Sequence, residues 1–93
     1  MKKIEIILES TYTNRLLELL KGNGITAYTL IKGVECCGGH GLKSSDDVTD
    51  VFSNNYIFIV CTQDRLFNIK DDIKSFIKKY GGKCIVSDAE ILI

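Results

Sequence analysis

The chain is 93 residues long, enough for one domain, and a domain of that size buries only about 60% of the surface its unfolded chain exposes. Lys plus Arg equals Asp plus Glu at 12 each, which excludes a net field that would recruit nucleic acid or an anionic membrane. No apolar run approaches the roughly 20 residues needed to span a bilayer. The N-terminus enters a strand pattern with no secretory leader, and four cysteines outside a secretory context read as reduced thiols of a cytoplasmic protein.

Taken in order, residues 3–9 alternate, with Ile4, Ile6 and Leu8 on one face and Lys3, Glu5, Ile7 and Glu9 on the other, which predicts a first strand. Residues 10–13 offer several N-caps, and Leu16, Leu17, Leu19 and Leu20 give a helical face, so a helix is expected over about 13–21. Gly22 and Gly24 punctuate its end. Residues 25–31 are rich in β-branched and aromatic side chains and predict a second strand.

The stretch from Lys32 to Asp50 reads as loop, with room for the flanking strands to extend into its ends. It holds four of the eight glycines (Gly33, Gly38, Gly39, Gly41), two of the cysteines (Cys36, Cys37) and the only histidine, His40, followed by the polar run 43–50. Residues 56–61 are apolar on both faces and predict a buried third strand. Thr62 is placed to cap a second helix with Asp64 in its first turn. Leu66, Ile69, Ile73, Phe76, Ile77 and Tyr80 form its apolar stripe, and Lys70, Asp71, Lys74 and Lys78 its wet face. Gly81 and Gly82 end that helix. Residues 83–86 and 91–93 are expected to form a fourth strand interrupted by 87–90, with Cys61 and Cys84 as core residues of strands three and four.

The order βαββαβ predicts a single α+β domain over 1–93, a ferredoxin-like four-stranded antiparallel sheet with both helices on one face. Two helices cover one side of such a sheet, yet the third strand is apolar on both. The uncovered side therefore calls for another copy of the chain, and a homo-oligomer is expected.

The glycine-rich loop admits two chemistries. Its glycines can turn backbone N–H groups toward an anion, although no Walker-type Lys-Ser follows and no helix starts there, so on spacing alone a plain turning loop is the preferred reading. Cys36, Cys37 and His40 are soft metal ligands, but adjacent cysteines do not supply the usual spacing of a tetrahedral site, and reduced non-liganding thiols or a redox-labile Cys–Cys pair are the other readings. Asp46, Asp47 and Asp50 could hold Mg²⁺ or form a solvated acidic loop. No histidine–acid–nucleophile arrangement or flanking pair of carboxylates is present, so an enzyme is not expected.

The βαββαβ order, Gly24–Ile25–Thr26–Ala27–Tyr28–Thr29 running into the second strand, the glycine-rich loop after it, Gly81–Gly82–Lys83 and the ending Asp88–Ala89–Glu90–Ile91–Leu92 together resemble the PII signal-transduction superfamily. The likeness is closer to the PII-like proteins associated with bicarbonate transport and carboxysomes than to nitrogen-regulatory PII. It implies a homotrimer with sheets facing inward and an adenine nucleotide in each cleft between subunits, with no other cofactor required. A T-loop-like segment over about 32–53 would respond to the ligand and contact a target, such as a membrane transporter. Under the resemblance Thr29 lies where the family contacts adenine, and Gly38, Gly39 and Gly41 where loop glycines approach phosphates. Lys83, or Lys43 from the loop, would meet the phosphates. Ser87, Asp88 and Ala89 occupy the strand whose backbone lines the adenine pocket. The chain lacks the paired arginines and the modified tyrosine of the nitrogen-regulatory branch, so AMP, ADP or cyclic AMP is expected rather than ATP with 2-oxoglutarate. The differing expectation is a trimeric metal- or redox-responsive protein using Cys36, Cys37 and His40.

Overall fold

The computed structural model describes residues 1–36 and 53–93. Strand β1 (Lys2–Glu9) alternates as its sequence demands: Ile4, Ile6 and Leu8 are completely buried, and the residues between them are half-buried on the opposite face. A 3-10 turn over Ser10–Tyr12 leads into helix α1 (Thr13–Gly22), which buries Leu16 and Leu20. Strand β2 (Thr29–Val34), strand β3 (Asn54–Cys61), helix α2 (Gln63–Tyr80) and strand β4 (Lys83–Asp88) complete the order. Thr62 caps α2 as its position predicts, its hydroxyl accepting from the Arg65 N–H at 3.2 Å.

The four strands form one antiparallel sheet in the order β2-β3-β1-β4, so β1 and β3 are central and β2 and β4 are its two edges. Both helices pack on one face: Ile4, Ile6, Leu8, Ile57 and Ile59 meet Leu16, Leu20, Ile69, Ile73 and Phe76 in a single core. This is the α+β ferredoxin-like arrangement expected from the sequence.

Three local expectations are corrected. Strand β2 begins at Thr29, not at residue 25, because the Ile25 N–H bonds to the Leu20 carbonyl at 2.9 Å and its side chain is buried beneath the end of α1. It then runs on through Val34, the strand extension into the loop's start that the sequence allows, with a bulge between Lys32 and Val34 where Gly33 takes φ +71°. Strand β4 is not interrupted at 87: Ser87 and Asp88 pair with Lys3 and Lys2, and residues 91–93 stand outside the sheet instead of completing the strand. Cys61 is buried, whereas Cys84 is only half-buried at the core's margin.

The sheet's outer face is partly apolar. Thr29, Phe58, Glu5 and Ile85 form one row across the four strands, and Ile31, Tyr56, Ile7 and Lys83 the next. Ile31 and Ile85, one on each edge strand, are about half exposed at 49% and 48%. No helix of the described residues is long and apolar enough to cross a membrane.

Candidate functional site

Strand register decides where the predicted ligand residues stand. Thr29 opens β2 and is exposed on the outer face, opposite Phe58. Lys83 opens β4 on the same face, opposite Ile7, and Ser87 follows on that face opposite Lys3. Asp88 is ion-paired with Lys2, and the Lys2 ammonium holds its carboxyl below the ordinary 3.8. Ala89 continues the strand for one step, its N–H donating to the Met1 carbonyl at 3.0 Å. Thr29 and Lys83 therefore share a face but sit on opposite edges, three strand spacings or about 14 Å apart across the sheet and one row apart along it. Within one chain they do not converge. Gly38, Gly39, Gly41, Lys43, Cys37 and His40 lie outside the described residues, as do Asp46, Asp47 and Asp50. Cys36 is half-buried just beyond β2. Among the described residues, no three of His, Cys, Asp and Glu gather in a way that could hold a metal.

Lys83 is launched by a tight glycine turn. Gly81 and Gly82 take φ +85° and +117°, values that L side chains rarely adopt. The Gly81 N–H closes α2 on the Ile77 carbonyl at 2.8 Å. A Cβ on Gly82 would lie 2.6 Å from the Ile7 carbonyl oxygen and 3.3 Å from Leu8 Cβ, so the turn rests directly on the β1 backbone.

Two polar assemblies that the sequence reading did not single out stand at the two ends of the sheet. At the end of β2, the Gly33 N–H donates to Asn55 Oδ1 at 3.1 Å. Asn55 Nδ2 in turn donates to Thr13 Oγ1 at 2.9 Å, and the Thr13 hydroxyl reaches the Glu9 carbonyl at 3.4 Å. Asn55 and Thr13 are both buried, so this chain ties the β2 bulge to the start of α1. Alongside, Ser10 N–H donates to the Ser53 carbonyl at 2.8 Å, and the two serine hydroxyls meet at 3.1 Å. An asparagine at an inward strand position is the one clue the sequence carries to it.

At the other end of the sheet, Arg65 Nη1 donates to the Gly24 carbonyl at 2.9 Å and the Asn23 carbonyl at 3.4 Å, fixing the turn before residues 25–28. Met1, Thr26, Ala27, Val60, Cys61 and Arg65 line a shallow cavity there of about 240 Å³. Burial pushes the Cys61 thiol up, which leaves it an inert wall rather than a nucleophile.

On the outer face Glu5 is the polar centre. Lys3 Nζ lies 3.7 Å from its carboxylate and 4.9 Å from the Phe58 ring centroid. Partial burial, followed by the hydrogen bond to Glu5, raises the Tyr56 phenol above its ordinary 10.0.

Fold and strand order define a ferredoxin-like α+β protein whose exposed sheet face and edges carry its distinctive residues. The family model of nitrogen regulatory protein P-II matches residues 1–92, and the chain belongs to that family. No curated protein matches it in sequence. Among solved structures it is similar to CPII of Thiomonas intermedia bound to ADP, AMP and acetate, with a TM-score of 0.81 and 22% identity over 97% of this chain and 86% of that one. The same protein bound to ADP and bicarbonate superposes with a TM-score of 0.79 at 22% identity, again over 97% and 86%. A PII-like protein of Thermus thermophilus superposes with a TM-score of 0.71 at 21% identity, over 92% of this chain and 83% of the other.

Proposed function

We propose that this chain is a PII-like regulator that binds an adenine nucleotide, AMP, ADP or cyclic AMP, in clefts between the subunits of a homotrimer. The observation that carries the reading is the division of the site. Thr29 and the pair Lys83 and Ser87 face the same side of the sheet from opposite edges, so one protomer cannot bring them to a common ligand, whereas packing the outer sheet faces of several copies against one another offers a cleft to which one chain contributes Thr29 and its neighbour Lys83 and Ser87. The family match and the ADP- and AMP-bound CPII structures support nucleotide as the ligand, and the bicarbonate held by CPII makes that anion a second ligand to test. The exposed apolar positions Ile31 and Ile85 supply a reason for the sheets to meet.

In this reading Thr29 and the backbone of Ser87, Asp88 and Ala89 hold the base, and Lys83 supplies a point charge to the phosphates with Lys43 and the N–H groups of Gly38, Gly39 and Gly41. A ligand that prefers one arrangement of the segment about 32–53 shifts its population, and a target protein such as a transporter reads the change. The role is regulatory rather than catalytic. Calorimetric titration of the reduced, metal-free protein with AMP, ADP, ATP and cyclic AMP, with and without bicarbonate, tests it. Saturation near one nucleotide per subunit is the expected result, and a trimer that binds none of the four overturns the nucleotide reading.

A further inference from the structure

The edge of β4 is unfinished on both of its sides. Its pairing with β1 runs unbroken from Lys83 to Ile7 through Asp88 to Lys2, whereas the other edge, β2, is interrupted by its bulge. A regular edge with unpaired backbone groups is a template for one more strand. On the helix side, β4 and α2 enclose a groove of about 520 Å³ floored by Leu66, Ile73, Ile77, Cys84 and Val86. The stems of Lys70, Lys74 and Lys78, one helical turn apart, line its rim. On the opposite side Ile85 is half exposed. A strand completing this edge would need apolar side chains on both faces.

The chain contains such a segment and leaves it unpaired. Ile91, Leu92 and Ile93 are three consecutive large apolar residues, Leu92 being 85% exposed, and their composition reads as strand while the single chain gives them none. The order Glu90–Ile91–Leu92–Ile93 complements Lys83–Cys84–Ile85–Val86 residue for residue: acid beside lysine, isoleucine beside Cys84 and Val86 in the groove, leucine beside Ile85 outside. The same chain does not fold back to make this match. A hairpin from Asp88 to Ile91 would turn on Ala89 and Glu90, neither of which favours the φ > 0 that a two-residue turn requires, and the Ala89 N–H is already engaged by Met1.

We infer that residues 90–93 of a second copy add as a parallel strand to the free edge of β4, seating Ile91 beside Cys84. The inference rests on the proposed assembly of copies and gives it a specific clasp: each chain's tail closes the groove of its neighbour. In the ring so formed every tail is received once, which closes the assembly without leaving an apolar tail in water.

Cys84 makes the contact directly testable, since neighbouring strands place Cα atoms within the 4.4–6.8 Å that a disulfide spans. In a Cys36→Ser/Cys37→Ser background, Ile91→Cys should give, on mild oxidation, covalent dimers and trimers on a non-reducing gel, and Cys84→Ser should abolish them. Ile93→Cys, two residues along the strand, should link at least several-fold less. A disulfide formed only within one chain, no disulfide, or equal linking by Ile91→Cys and Ile93→Cys overturns the inference. Light scattering of the unsubstituted protein separates the two failures. A monomer removes the assembly reading and this clasp with it, whereas a trimer in which the Ile91→Cys thiol does not link to Cys84 removes the clasp alone.

Discussion

Gly82 is where the proposed phosphate lysine depends on a backbone contact, so Gly82→Ala is the informative perturbation. The new Cβ would sit 2.6 Å from the Ile7 carbonyl oxygen, against an ordinary carbon–oxygen contact of about 3.3 Å, so about 0.7 Å must be recovered by movement. The obstacle is backbone in the sheet's central strand, next to the fully buried Leu8, and it does not swing aside like the tip of a side chain. Overpacking of this kind costs about 1–3 kcal/mol, and φ +117° adds about 1–2 kcal/mol for an L residue. A destabilisation of about 3 kcal/mol follows.

Urea unfolding at fixed protein concentration measures it, because assembly makes the midpoint concentration-dependent. With a slope of about 1–1.5 kcal/mol per molar urea, the midpoint should fall by about 2 M. Gly22→Ala is the internal control: it ends α1, nothing lies within 4 Å of its Cβ position, and alanine there should raise stability by about 0.5–1 kcal/mol. If Gly82→Ala and Gly22→Ala unfold within about 0.3 M of each other, the close approach of the turn to β1 is wrong.

Three further outcomes are expected. Asn55→Ala removes the bridge between Gly33 N–H and Thr13 Oγ1 and should lower stability by about 2–3 kcal/mol, with faster hydrogen exchange at the Gly33 amide; adding Thr13→Val should then change little, and additive losses would refute the shared bridge. Lys2→Met should raise the Asp88 carboxyl pKa back toward 3.8, read by carboxyl NMR. Because the folded pKa is depressed, the pair's stabilisation is present above the unfolded value and lost as pH falls through the folded one, so an unshifted Asp88 in the variant refutes the pairing. Thr62→Ala removes the acceptor for the Arg65 N–H at the α2 cap and should lower Tm by about 4–8 °C, corresponding to about 1 kcal/mol, and an unchanged melting curve would discount the cap.

Much of the fold was legible because its periodicities are clean. The alternation in β1 and the apolar stripe of α2 each match one buried face, and Thr62 and the glycine pair mark helix ends by local backbone chemistry. The misplaced boundaries have a common physical origin. Residues 25–28 have strand composition, but the first of them plugs α1 and hydrogen-bonds to Leu20, so tertiary packing overrides propensity. Ser87 and Asp88 look like turn residues yet pair with β1, because the Asp88 carboxylate stays in water, beside Lys2, while its backbone completes the ladder. The Gly33–Asn55–Thr13 bridge joins residues far apart in sequence, and an inward asparagine signals a buried polar partner without saying which residues supply it.

The proposed site was legible only as a set of residue types, since its described members do not converge within one chain. Thr29 and Lys83 each look like ordinary strand residues, and their placement on opposite edges denies a common ligand within a protomer. In the proposed assembly the same placement lets one copy supply Thr29 and its neighbour Lys83. The outer face is already prepared for that burial: its central carboxylate, Glu5, is met by Lys3 and hydrogen-bonded to Tyr56, so covering it does not strand an unpaired charge. Burial would instead strengthen those polar contacts, while Ile7, Ile31, Phe58 and Ile85 around them leave water. A sheet face with its charge internally compensated and its apolar rows left open is better suited to a partner of defined register than to bulk solvent. In the proposed reading that physical asymmetry is the reason to look for the ligand chemistry in an assembly of copies and not in the monomer.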